Sequence, residues 1–400
     1  MIDDVNLLRS AATIRERCHR IADQPALAHF RIDRSRLADV AQRVAALTRS
    51  RFPDLAIPYH SRWRHFEAGG VDRKGELDAA LAGRSTAEIA RARIDLTVIS
   101  VLLDAGAGPD WRYDESGTRF ARSEGLGVAT FRAFMAGRFS SHATDRYRVD
   151  AQALAAIDVP ALSAVFQASD ENPLVGLAGR VQLLLRLAAA LSDQPASFGA
   201  DGRPGGLFDR LLPAPGQPLL AEQVLRALLD TLSAIWPSGQ SFDGTPVGDV
   251  WPHRQAGGSG ASAGLVPFHK LSQWLSYSLL EPFEWAGVKV DGLDALTGLP
   301  EYRNGGLLID AGVLVPTDPG YAAQPRTPDD PWVIEWRALT IALLDELAPL
   351  VRDALGVTQQ QLPLACILEG GTWAAGRQIA GELREGGGPP LAIESDGTVF

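Results

Sequence analysis

Apolar residues in this chain recur at helical spacing, and the strict alternation that marks a half-buried strand is almost missing. Ser85-Thr86-Ala87-Glu88 has the pattern of a capping box ahead of the apolar run from Ile89 to Leu103, which Gly106 closes. Asp150 stands where it caps a short helix from Ala151. Pro173 precedes Leu174, Leu177, Val181, Leu184, Leu185 and Ala188 at helical spacing, while Gly176 and Gly179 weaken the first turns and push the start later. Leu219 to Ile235 reads as another helix. Asp330-Pro331 opens a long one through Trp336, Leu339, Leu343, Leu347 and Leu350, ended by Gly356, with Pro349 expected to kink or shorten it. Thr372 is placed to cap a last helix from Trp373 to Leu383. Strand expectations are few: Gly306 to Val315 as a hairpin or two short strands, and Leu391 to Ile393 with Val399-Phe400 as extended pieces about Ser395-Asp396-Gly397. The run Gly257 to Gly264 reads as a mobile connection. A parallel sheet needs regular strand–helix alternation, which is absent, so the expected fold is mainly α and multi-helical with a few short β-strands.

A chain of 400 residues exceeds one ordinary core. No composition break divides it, so the expectation is a single compact two-lobed unit, an N-terminal helical lobe over about residues 1–200 and a C-terminal lobe over about 201–400. The formal net charge of -10 argues against a nucleic-acid partner, whose phosphates need clustered Lys and Arg. Cys18 and Cys366 support neither a disulfide framework nor a thiolate metal site, and they favour a cytoplasmic protein. Met1-Ile2-Asp3-Asp4 lacks the basic-then-apolar layout of a signal peptide, and no apolar run reaches the roughly 20 residues that span a bilayer. Of the histidines only His60 and His65 lie close together, without supporting Cys or acidic spacing, so no metal is expected.

No familiar catalytic signature is present, and five polar–aromatic clusters remain. His60-Ser61-Arg62-Trp63-Arg64-His65-Phe66-Glu67 is either a clamp for an anionic substrate, since Arg forks match phosphate or carboxylate, or a solvated loop around one buried Trp. In Pro267-Phe268-His269-Lys270-Leu271-Ser272-Gln273-Trp274, Lys270, Gln273 and Trp274 share a helix face, so Lys270 either aims a cation into a pocket or snorkels. Leu299 to Gly306 contains a turn that can bring Glu301, Tyr302, Arg303 and Asn304 into one cavity, or can hold a structural Glu–Arg pair. Glu369-Gly370-Gly371-Thr372-Trp373 offers N–H groups to an anion at a helix N-terminus, or is an ordinary Thr cap. Asp110-Trp111-Arg112-Tyr113-Asp114-Glu115 suits a polar ring or ureido group, or is a surface turn with a packed Trp.

The stretches HSRWRHFEAGG, RPGGLFDRLL, VPFHKLSQWLSYSLLEPFEWAG, LTGLPEYRNGGLLIDAGVL, VIEWRALT, ILEGGTWAAGRQIA and the terminal SDGTVF resemble the uracil-catabolism protein family of fungi and bacteria, from about residue 5 onward. That resemblance implies a pathway in which uracil becomes UMP, its ring is opened and urea is released. It also implies a functional link to a GTP-cyclohydrolase-II-like protein and a uracil phosphoribosyltransferase. The segment order is distantly similar to that of the queuosine-salvage nucleotide glycohydrolases, helical relatives of DNA glycosylases. The similar pieces are DWRYDE, ENPLVGLAGR, IWPS, HKLSQWL and PEYRNGG. The second resemblance implies a DNA-glycosylase-like helical architecture and a catalytic carboxylate at Glu301. Here Glu replaces that family's Asp, and Leu271 stands where that family has Arg after the Lys. Together the resemblances imply a metal-independent N-glycoside hydrolase acting on ribosylurea or its 5′-phosphate, with no cofactor. The implied catalytic residues are Glu301, Lys270 and Tyr302. Arg303, Asn304, Gln273, Trp111, Asp110, His60, Arg62, Trp63, Arg64, Gly370, Gly371 and Thr372 are the implied substrate contacts, and Asp110 or Glu115 the source of the leaving-group proton. An amidohydrolase acting on the ring-opened pyrimidine nucleotide and a non-catalytic pathway subunit are the alternatives.

Overall fold

A computed structural model describes residues 2–104, 106–236 and 240–394. Helices account for most of it, and its strands are two or three residues long and lie in isolated pairs, so the fold is mainly α. Tertiary contacts divide the chain into two units. One contains residues 2–60, 240–273 and 292–394, and the other residues 61–104, 106–236 and 274–291.

The first unit is organised by the helix Pro331–Leu355. Its start is fixed by Asp330, whose side chain accepts from the Trp332 N–H at 2.8 Å, and by Pro331, whose missing N–H costs nothing in the first turn. Trp332, Trp336, Leu339, Leu343 and Leu347 are buried, so it lies in the core with the helices Ala11–Ala22 and Leu37–Arg51 packed against it. Each such fully buried side chain contributes about 1.5–3 kcal/mol. The helix runs through Pro349 without being shortened and ends at Gly356 in the left-handed conformation, because burial on successive turns outweighs one lost backbone hydrogen bond. Phe30–Ile32 pairs antiparallel with Leu314–Pro316, and Val250–Pro252 with Leu265–Pro267.

The hairpin expected over Gly306–Val315 is not formed. Gly306 to Asp310 complete the helix Tyr302–Asp310, and only Leu314–Pro316 is extended. The apolar residues there face the helix Trp373–Leu383 rather than alternating across a sheet. Gly257 to Gly264 is folded onto the N-terminal segment: Gly264 N donates to Gly257 O at 2.8 Å, and Ser262 N to the Asp4 carboxylate at 3.2 Å. Of Leu391 to Ile393, Ile393 forms a single bridge to Arg326. The expected pieces at Ser395 to Phe400 lie outside the described residues.

The second unit is built on the helix Thr86–Leu102, whose N-cap Ser85 accepts from the Glu88 N–H at 3.2 Å. Almost every residue from Ala92 to Leu102 is buried. Arg122–Met135 packs against it, and Leu177–Ser192 begins just after the left-handed Gly176, as the two early glycines require. Ala221–Leu232 is followed by a 3-10 turn to Ile235.

One close approach fixes the Tyr302–Asp310 helix. A β-carbon on Gly376 would sit 2.2 Å from the carbonyl oxygen of Arg303. Gly376→Ala must therefore push two buried helices apart and should lower stability by about 1–3 kcal/mol in urea unfolding. An unchanged midpoint would show that this contact does not hold the helix in place.

Candidate active site

In the first unit, Glu301 is the N-cap of the Tyr302–Asp310 helix. Its Oε2 accepts from Arg303 N and its Oε1 from Asn304 N, each at 2.6 Å. The loop before it is gripped from the Lys270 helix, Lys270–Trp285: Gln273 Nε2 donates to Thr297 Oγ1 at 2.8 Å, and Thr297 N to Gln273 Oε1 at 3.4 Å. Asn304 Nδ2 donates back to Leu299 O at 3.2 Å. Burial pushes the Glu301 carboxyl above its usual range, while the two backbone N–H groups, Lys270 and His60 oppose that shift. Lys270 and His60 are thus close enough for their charges to act on Glu301.

Lys270 begins its helix after His269, which holds the left-handed φ of 49°. His269 Nε2 donates to the Leu8 carbonyl at 2.8 Å, and burial holds this imidazole below its ordinary pKa. The Lys270 N–H donates to Asp249 Oδ2 at 3.1 Å. Asp249 in turn receives the Arg337 guanidinium at 3.0 and 2.7 Å and the Trp251 indole N–H at 2.6 Å. Burial opposes ionisation of Asp249, but Arg337 and Trp251 outweigh it and hold the pKa at about 2.

His60 is anchored twice. Its backbone N–H donates to Ala365 O at 2.9 Å, and its Nδ1 lies 2.9 Å from Glu369 Oε2. Glu369 Oε1 is 3.3 Å from Arg51 Nη2. Tyr302 is half-buried under the Arg303 guanidinium, which stands 4.9 Å from its ring centroid while Arg303 Nη1 donates to Gly387 O at 2.9 Å.

The helix N-terminus expected at Gly370-Gly371-Thr372 is not there. Leu364–Ile367 continues into a π-helical turn, Leu368–Thr372, and then into Trp373–Leu383, so these three N–H groups lie inside one helical run. The glycines serve packing instead. A β-carbon on Gly371 would meet Val44 and Thr48 of the Leu37–Arg51 helix at 2.5 and 2.6 Å.

The remaining expected contacts belong to the second unit. Arg62 is fully buried: its Nε donates to Ser100 Oγ at 2.7 Å, its Nη1 pairs with Asp104 at 2.8 Å, and its guanidinium lies 5.7 Å from the Trp274 ring centroid. Trp63 is core, with Nε1 donating to Ser278 O at 3.2 Å. Arg64 pairs with Glu281 at 2.8 Å and Glu67 at 3.1 Å, and Ser61 Oγ also donates to Glu281. The anionic clamp is thus supplied with carboxylates of its own unit. Trp111 is fully buried and donates to Phe166 O at 2.9 Å, whereas Asp110 is exposed. Glu115 is no proton donor at neutral pH, because Arg73 and Arg132 both pair with it and hold its pKa low against the opposing effect of burial. Sequence reasoning missed Asp249 and Arg51, which are isolated charges outside any quoted motif, and it quoted Arg337 only within VIEWRALT, without a role. It named Glu369 without a role.

Among the described residues no three His, Cys, Asp or Glu side chains are grouped to hold a metal ion, and no helix is long and apolar enough to cross a membrane.

Residues 7–400 match the family described as "Protein of unknown function (DUF1688)". The chain is 40% identical over 436 residues to a protein of Lachancea kluyveri named Uracil catabolism protein 4, covering 99% of each. It is 38% identical over 410 residues to Protein urg3 of Schizosaccharomyces pombe, covering 100% of this chain and 99% of that one.

Two outcomes test the electrostatics. Asp249→Asn leaves the Arg337 cation buried beside a neutral amide and should cost about 3–5 kcal/mol in chemical denaturation; a loss under about 1 kcal/mol would refute the pair's role. Burial pushes the Glu281 carboxyl from its ordinary 4.5 up to about 7, against Arg64 and Ser61. The folded state therefore holds this proton over a range where the unfolded state has lost it. The resulting stability is full below about 4.5 and is lost as pH rises through about 7. Wild type should lose stability relative to Glu281→Gln as pH rises between these limits, and a pH-independent difference in their unfolding free energies would contradict the raised pKa.

Proposed function

We propose, from the premise that the chain belongs to the DUF1688 family, that it acts in uracil catabolism by hydrolysing the N-glycosidic bond of ribosylurea or its 5′-phosphate. The name of the Lachancea kluyveri relative supports the pathway. The observation that carries the chemistry is Glu301, a buried carboxylate fixed by two backbone N–H groups and acted on by Lys270 and His60.

Cleavage of an N-ribosyl bond develops positive charge on the sugar, and a fixed carboxylate stabilises that charge without reorganising. The two N–H bonds occupy two of the roughly four acceptor positions of the Glu301 carboxylate, leaving the others for C1′ and for the attacking water. The Lys270 ammonium favours the ionised form of Glu301 that this role needs, and it supplies a cation for a 5′-phosphate. Asn304 Oδ1 and Thr372 Oγ1 are buried without a partner among the described residues. Unpaired buried acceptors of this kind each cost about 1–3 kcal/mol, and ureido N–H donors would satisfy them.

Glu301→Gln should reduce turnover of ribosylurea or its phosphate by about 10²–10⁴-fold while substrate binding stays largely intact. Mass spectrometry of the products, following urea and ribose or ribose 5-phosphate in equal amounts, is the check. Retained turnover removes Glu301 from this role, and a product that keeps the sugar attached to its nitrogen replaces the glycosidase with an amidohydrolase.

A further inference from the structure

A hollow of about 590 Å³ opens in the second unit, among the end of the helix Arg122–Met135, the short helix Ala151–Ala155 and the helix Val159–Phe166. Small-molecule sites commonly measure about 300–1,000 Å³, with apolar walls and a few polar groups. Local chemistry shapes this one. Gly137 holds the left-handed φ of 73° just past the first helix, and Arg138 N donates back to Ala133 O at 3.0 Å. The chain turns there, burying Phe139 and leaving Arg138 exposed in the lining. Asp150 caps the second helix, accepting from Ala153 N at 3.0 Å and Ser141 N at 2.8 Å, and Asp158 caps the third, accepting from Ala161 N at 2.9 Å. Phe139, Ile157, Leu162 and Val165 supply the apolar wall.

The charge of the hollow is one-sided. Its lining holds two arginines and no carboxylate. Arg132 is matched by Glu76 and Glu115, whereas Arg138 has no ion-pair partner among the described residues. The next carboxylates along the chain are engaged elsewhere, Asp145 with Arg84 at 2.8 Å and Asp150 with its cap. Tyr113 also lines the hollow; burial and the Glu115 charge push its phenol above the ordinary value, so it stays a neutral donor. We propose that this hollow binds a small monocarboxylic acid with an apolar body, its carboxylate on Arg138 and its body against Phe139, Ile157, Leu162 and Val165. A neutral apolar ligand gains only the wall, and a cationic one meets a like charge at Arg138. The assignment does not rest on the hydrolytic reading above, because Glu301 belongs to the other unit.

The test titrates the full chain with octanoate, 1-octanol and octylammonium by isothermal calorimetry at low salt. Octanoate should bind saturably at one site per chain, octanol about tenfold more weakly, and octylammonium more weakly still. Arg138→Ala should weaken octanoate about tenfold, whereas Arg119→Ala, which removes an exposed arginine of the same unit outside the lining, should leave it unchanged. Ala164→Phe places a ring in the hollow from an exposed wall position and should abolish octanoate binding, with a circular dichroism melt to show that the variant folds. Octylammonium binding as tightly as octanoate, equal losses in the two arginine variants, octanoate binding that survives Ala164→Phe, or no saturation at millimolar octanoate each overturn the assignment. A dimer of wild type that Ala164→Phe loses in sedimentation would also overturn it and give the hollow to a second copy of the chain. None of these readouts involves turnover, so the assignment stands or falls apart from the role given to Glu301.

Discussion

Asp249 is the constraint on which the first unit's polar interior depends. Its carboxylate joins Arg337 on the long Pro331–Leu355 helix, Trp251 on the Val250–Pro252 strand, and the first N–H of the Lys270 helix. A buried arginine is costly unless its charge is matched and its donors are used. Arg337 is matched by a bidentate carboxylate, and that carboxylate still has an acceptor to offer the helix start. The position of Lys270 therefore follows from a core ion pair whose carboxylate its own N–H touches, although the arginine of that pair lies 67 residues away in sequence, counting from residue 270 to residue 337. The left-handed backbone at His269 is the local consequence: the chain must turn sharply off the strand Leu265–Pro267 to present the Lys270 N–H to Asp249.

Glu301 shows the same economy of means. As an N-cap it satisfies two N–H groups that the first turn of a helix leaves open, and as a buried carboxyl group it lies where Lys270 and His60 act on it. The two roles reinforce each other. A carboxylate pinned by backbone donors cannot rotate away from its neighbours, and the cap opposes the upward shift that burial imposes on it. Gln273 belongs to this arrangement as a clamp on Thr297, fixing the loop that leads into the cap rather than offering its amide outward.

Helix starts and stops were legible wherever they are local. Ser85, Asp150, Asp330 and Gly356 act through contacts within a few residues, and the chain places them as their patterns demand. The failure over Gly306–Val315 has a physical cause. Ten residues with two glycines and several branched apolar side chains fit a hairpin as well as the end of a short helix, and only the distant Trp373–Leu383 helix decides between them. Gly370 and Gly371 misled for a similar reason. A glycine pair ahead of a Thr looks like an anion-binding turn, but the same pair is what a close helix crossing onto Val44 and Thr48 requires, and the sequence does not distinguish these uses. The Glu301 turn and Lys270 were visible as motifs. The pairing of Asp249 with Arg337 was not, because a long-range ion pair leaves no local pattern.

The arginines complete the argument about charge. Arg62 and Arg64, which looked like a phosphate clamp, are matched by Asp104 and by Glu281 and Glu67, and Glu115 is matched twice over by Arg73 and Arg132. In a chain of net charge -10, a cation free for a substrate anion is scarce, since most guanidinium groups lie within reach of a carboxylate. That scarcity narrows the chemistry in the first unit. Arg51 and Arg337 are held by Glu369 and Asp249, so the charge that bears on Glu301 comes from Lys270 and His60. A compact ammonium and an imidazole beside a fixed carboxylate suit a reaction in which positive charge grows on a sugar and one proton must move to nitrogen. A guanidinium in the same place could not do the second part, because it does not give up its proton.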